Sequence, residues 1–95
     1  MTDELKLSKA IGDAARATAY LQDEWLTEVE NARIAALIEG WKNTAPGDVD
    51  GRERIFRQFH EVAKFRENLQ KIQAAGRLAQ AELDMAAKLV QNGNT

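Results

Sequence analysis

His60 is the only histidine in the chain, set in the run "RQFHEVAKF". A histidine can act as a general base or bind zinc, but each role needs company. Catalysis needs a positioned partner and a pocket, and a zinc site needs several nitrogen or sulfur ligands. The sequence offers neither a second histidine nor any cysteine. Helical spacing puts His60 beside Glu61 and Lys64, away from the nearest apolar stripe, as a solvated surface residue. Glu24, Glu28 and Glu39 share one side of a helix, but a carboxylate di-metal centre needs Glu-x-x-His elements, which are absent. Ser8 is the only serine and has no triad companions, and Gly12, Gly76 and Gly93 are too scattered for a phosphate-cradling loop. The expectation is a protein that is not an enzyme, with no cofactor, metal or small-molecule substrate.

Basic residues make a stronger cluster. Between residues 52 and 77 there are seven Lys and Arg against three Glu, with Arg57, Lys64 and Lys71 in one column spaced by sevens. A basic helix face is the electrostatic footprint of phosphate contact. Opposing that, Glu53 precedes Arg57 and Glu67 precedes Lys71 by four residues, the spacing of intrahelical ion pairs. The net charge is −2, and no short helix-turn-helix unit is visible. A small regulatory or packaging-related factor that contacts nucleic acid through Arg57, Lys64 and Lys71 is therefore the alternative reading.

The elements that position these residues are long helices. Ninety-five residues suffice for one domain, expected over 1–95. Nothing approaches the ~20-residue apolar run that a membrane span needs, and the charged N-terminus lacks the apolar region of a signal peptide. From about residue 5 to 43 there is no proline, and Ala, Glu, Leu, Arg and Lys dominate, all good helix formers. Leu7, Ile11, Ala14, Thr18, Leu21, Trp25, Val29, Ala32 and Ala36 step by threes and fours into one stripe. From about 50 to 91 a second stripe runs Ile55, Phe59, Val62, Leu69, Ile72, Gly76, Ala79, Leu83, Ala86, Val90. Its drift is that of a seven-residue repeat wrapping left-handedly about a partner.

Between the helices lies a turn at about 44–50. Pro46 cannot continue a helix, and Ala45 before it is pushed out of the helical region. Gly40 is expected to weaken the end of the first helix. Asp48 or Asp50 caps the second, and "DGRE" reads as a capping box in which Glu53 reaches back to the cap. Arg52 and Glu53 are expected to hold the turn.

Folding the helices antiparallel about residue 47 gives an all-α hairpin in which paired residue numbers sum to about 94. Trp25 then faces Leu69, Val29 faces Phe65, Thr18 faces Gly76, and Ala14 faces Ala79 or Gln80. Glu28 falls opposite Arg66 and Glu39 near Arg52, an edge-charge pattern of the kind that fixes helix pairing. Residues 1–50 carry ten acids against five bases, and residues 51–95 five against eight, so the two arms attract.

Both helices carry surplus apolar residues. Leu26, Ile34, Leu37, Ile38 and Trp41 lie roughly opposite the first stripe, and Phe56, Leu78, Met85 and Leu89 lie off the second. A helix apolar on two sides is sandwiched between neighbours, and two helices alone seldom offset an ordering cost of ~1.5 kcal/mol per residue. Self-association into a multi-helix bundle, or docking on a larger assembly, follows. The expected partner surface is Leu26, Ile34, Leu37, Ile38, Trp41 and Phe56.

Around the turn, Trp41, Thr44, Asp48, Gly51, Arg52 and Glu53 form a pattern that resembles a group of small helical proteins encoded by tailed bacteriophages. The run "GRLAQAEL", Gly76 to Leu83, is similar to the same group's Gly-basic-Leu-Ala-x-x-Glu-Leu segment. The likeness covers roughly residues 25 to 85 and includes no catalytic residue. It implies a phage structural or assembly protein, capsid-associated, scaffold-like or at the head–tail junction, working in the host cytoplasm or the virion. A host-directed inhibitor is a further alternative.

Overall fold

The structure, a computed structural model, describes residues 3–93. Residues 1, 2, 94 and 95, the ends of the expected 1–95 domain, lie outside the described residues. Among the described residues there are three helices and no strand: α1 (Asp3–Gln22), α2 (Glu24–Lys42) and α3 (Val49–Gly93). The protein is all-helical.

The expected single helix over 5–43 is interrupted at Asp23. This residue leaves the helical region, with φ −71° and ψ 117°, and its carboxylate accepts the Leu26 N–H at 2.9 Å. The Thr27 N–H and hydroxyl both donate to the Asp23 carbonyl, at 3.0 and 2.9 Å. Asp is among the best N-cap residues because its short side chain satisfies an orphan amide of the first turn, and Glu24 behind it suits the positive end of the helix dipole. A new helix starts here, so the phase of the first stripe is lost.

That loss changes which face of α2 turns inward. In α1 the expected stripe is covered: Leu7, Ile11, Ala14, Thr18 and Leu21 are half-buried. Past Asp23 its continuation is exposed at Trp25 (67%), Val29 (49%), Ala32 and Ala36. The half-buried residues of α2 are instead Leu26, Thr27, Glu30, Ile34, Leu37 and Gly40, mostly spaced by threes and fours.

The contacts divide the chain into two units, Met1–Tyr20 with Leu69–Thr95, and Leu21–Asn68. In the first, a seam of small residues joins α1 to the second half of α3. Ala17 and Ala79 are each 3% exposed, and Gly76 is buried. A Cβ placed on Gly76 would overlap the Ala14 Cβ and lie 3.2 Å from the Ala10 carbonyl oxygen. The Gln73 amide donates to the Thr18 hydroxyl at 2.9 Å. Ala14 thus meets Gly76 and Thr18 meets Gln73, where the sequence register set Ala14 against Ala79 or Gln80 and Thr18 against Gly76.

In the second unit, α2 packs on the first half of α3, where Ile55, Phe59 and Val62 are half-buried. The Arg66 Nε donates to Glu30 Oε1 at 2.7 Å. The expected Glu28–Arg66 pair is therefore replaced by Glu30–Arg66, because the restart at Asp23 turns Glu30 inward and leaves Glu28 exposed. The helix that holds Gly40 runs on to Lys42, close to the expected end at about 43. A Cβ there would sit 3.6 Å from the Ile55 Cδ1, an ordinary contact.

Candidate interaction surface

The connection between α2 and α3 is held by side chains that reach back onto backbone. The Thr44 hydroxyl and N–H both donate to the Trp41 carbonyl, at 2.7 and 3.2 Å. Asp48 caps α3, its Oδ1 accepting the Gly51 N–H at 2.9 Å. With Asp48 as cap, the third helical position is Gly51, which has no side chain, so the Glu53 capping box does not form. Asp50 lies in the first turn of α3, where an acid suits the dipole. Gly51 fits because any Cβ there would overlap the Asp48 carboxylate. Arg52 clamps the turn: its guanidinium donates to the Ala45 and Pro46 carbonyls, at 3.1 and 2.9 Å. This replaces the expected Arg52–Glu39 pair, since the guanidinium is already engaged by two turn carbonyls, one of which, that of Ala45, also accepts the Asp48 N–H.

Behind this clamp, Ile38, Trp41, Ile55, Phe56 and Phe59 line an apolar groove of about 190 Å³. Its rim is open: Ile38 is 40%, Trp41 55% and Phe56 65% exposed. His60 stacks on Phe56 with ring centroids 6.3 Å apart and planes 19° from parallel, which extends the aromatic rim. Of the six expected partner residues, Ile38, Trp41 and Phe56 come together at this groove. Leu26, Ile34 and Leu37 sit apart from it on the half-buried face of α2.

The basic column is exposed at Arg57, Lys64 and Lys71. Lys64 meets Glu67 at 3.3 Å, both side chains about half exposed, so Glu67 pairs one turn back rather than with Lys71. Among the described residues no group of three His, Cys, Asp or Glu side chains is placed to hold a metal ion. No described helix is long and apolar enough to cross a membrane. The other unit carries a wide open groove of about 770 Å³, lined by Leu7, Leu83, Ala86 and Val90 with Asp3 and Glu4 at its edge. The exposed stripe from Trp25 to Ala36 went unseen in the sequence, where it read as core. Its one signal was Asp23 directly before Glu24, an N-cap followed by an acidic first turn.

Comparison with protein-family models, with curated proteins and with solved structures gives no match.

Proposed function

We propose that this chain is a non-enzymatic protein–protein interaction module, an antiparallel helical hairpin whose exposed apolar flanks are completed by other chains. One observation carries the reading. Among the described residues the only buried apolar side chains are Ala17 and Ala79, while Trp41, Phe56, Leu78, Met85 and Leu89 are each more than half exposed. Fully burying a side chain of this size is worth about 1.5–3 kcal/mol, and exposed apolar surface on this scale marks an interaction site. The groove at Ile38, Trp41 and Phe56 has the make-up of an interface centre, with aromatic anchors around a pocket. The turn residues behind it, Asp48 and Arg52, hold it in shape.

The biological setting rests on the resemblance to phage-encoded helical proteins. Five of the six residues that carry it around the turn (Trp41, Thr44, Asp48, Gly51 and Arg52, but not Glu53) build the turn, a reason for their spacing that requires no chemistry. The proposed role is a structural or assembly component of a phage particle. Phosphate contact by the basic column is the weaker reading, because Lys64 already shares its charge with Glu67. Quantitative mass spectrometry of purified particles tests the role: a fixed copy number is expected, and Trp41→Ala with Phe56→Ala lowers it. Absence of the chain from particles refutes it.

A further inference from the structure

α2 is apolar on two faces, and its own unit covers only one. On the uncovered face Trp25, Val29, Ala32 and Ala36 step by four, three and four, and all are exposed. Such steps make the a/d seam of a coiled coil. With Trp25 and Ala32 at d, and Val29 and Ala36 at a, Glu28 takes a g position and Arg33 an e position. In a parallel pair, each g residue faces the partner's e residue about five positions further along. Glu28 and Arg33 are five apart.

Two copies aligned in the same direction therefore bring Glu28 of each against Arg33 of the other, twice by the two-fold symmetry. Both residues are exposed, and among the described residues neither has an ion pair within its own chain. Arg66, the expected partner of Glu28, is taken by Glu30. An antiparallel pair sets g against g and e against e, so no Glu28–Arg33 bond forms. A β-branched residue at a, here Val29, suits two-stranded packing, and Ala32 and Ala36 let the backbones approach.

We infer that the Trp25–Ala36 face of α2 is a parallel homodimerisation seam, occupied by the same face of a second copy and oriented by reciprocal Glu28–Arg33 pairs. This goes beyond the proposed docking role and does not depend on what fills the groove at Trp41 and Phe56.

The charges provide the test. Glu28→Arg alone sets Arg against Arg, and Arg33→Glu alone sets Glu against Glu. Each variant is expected to raise the dimer dissociation constant, followed by analytical ultracentrifugation of the full chain, about tenfold. Mixing the two single variants restores both attractions, so a heterodimer near wild-type affinity is expected, and the double variant recovers likewise. Both sites are exposed, and circular dichroism checks that the helices persist. The chain has no cysteine, so Val29→Cys gives a clean orientation readout: a parallel a position faces itself and forms an intermolecular disulfide. Asn31→Cys, at a c position outside the a/d seam, serves as control. A monomeric wild type at micromolar concentration, single variants that dimerise normally, a mixture without rescue, or crosslinking of Val29→Cys no faster than Asn31→Cys would each overturn the seam.

Discussion

The two units solve the same packing problem with different side chains. Where α1 meets the second half of α3, contact is made by Ala14, Ala17, Gly76 and Ala79, so close that Gly76 has no room for a methyl group. Where α2 meets the first half of α3, the half-buried residues include Leu26, Ile34, Leu37, Ile55, Phe59 and Val62, and Gly40 has space for a Cβ. The first unit gains its contact from backbone proximity, so it is intolerant of added volume. The second gains it from larger side chains with a half-buried ion pair among them, and the rings of Trp41 and Phe56 remain outside. Interiors pack closely enough that one methyl group is felt, so the two glycines should respond to the same substitution with opposite signs.

The largest expected effect is at the tight seam. Gly76→Val forces α1 and α3 apart and is expected to cost about 2–3 kcal/mol, since overpacking forces backbone shifts. Gly76→Ala is milder, because the usual gain of ~1 kcal/mol from replacing a helical glycine offsets part of the clash. Both are read by thermal melts. A Gly76→Val chain as stable as wild type would remove the contrast between the units.

Next is the ion pair of the other unit. Glu30 is only 14% exposed and is held by Arg66 at 2.7 Å. Arg66→Glu leaves two carboxylates facing each other, with an expected loss of about 2 kcal/mol. Adding Glu30→Arg is expected to recover much of it, while Glu28→Arg recovers none. Rescue by Glu28→Arg would instead restore the register in which residue numbers sum to 94.

Asp23 is the point where sequence reasoning and structure part. The stripe of α3 was legible over most of its length: Ile55, Phe59, Val62, Leu69 and Leu83 are half-buried, and Gly76 and Ala79 buried, because nothing interrupts that helix for 45 residues, whereas Ile72, Ala86 and Val90 of the same stripe are exposed. The stripe of α1 was legible for the same reason. For α2, apolar spacing supported two faces equally well. The choice between them hangs on a restart worth about 1 kcal/mol of capping, a margin that counts of apolar residues do not register. The groove at Trp41 and Phe56 was half legible, as residues without a shape, since Ile38 and Ile55 meet only once the turn is closed by Arg52. Asp23→Ala removes the cap and is expected to cost about 1 kcal/mol. Lower helicity by circular dichroism checks it; higher helicity would mean that α1 and α2 had fused.

Gly40→Ala sharpens the comparison from the other side. Its new methyl group meets the Ile55 Cδ1 at 3.6 Å, an ordinary contact, and alanine reduces the chain entropy lost on folding. A gain of about 0.5–1 kcal/mol is expected. A loss there would show that the looser unit is as tightly filled as the seam at Gly76.

The smallest effect is a matter of pH. Lys9 donates to Asp13 at 2.7 Å on the outer side of α1, and this hydrogen bond holds the Asp13 carboxyl below its ordinary value, with lesser attraction from Lys9 and Arg16. A carboxylate whose folded-state pKa is depressed adds stability above its unfolded value and loses it as pH falls through the folded one. The contribution of Asp13 is thus present at neutral pH and disappears on the acid side of the ordinary aspartate range. Because the pair is exposed, solvent screens it, and the amplitude is small. Asp13→Asn is expected to flatten the acid limb of the stability–pH curve slightly and to leave the unit Leu21–Asn68 unaffected, as followed by hydrogen exchange of its amides. An acid limb unchanged by Asp13→Asn would mean that the Lys9 pair adds nothing to the seam unit, whose stability would then rest on the Ala14–Gly76 contact and its neighbours.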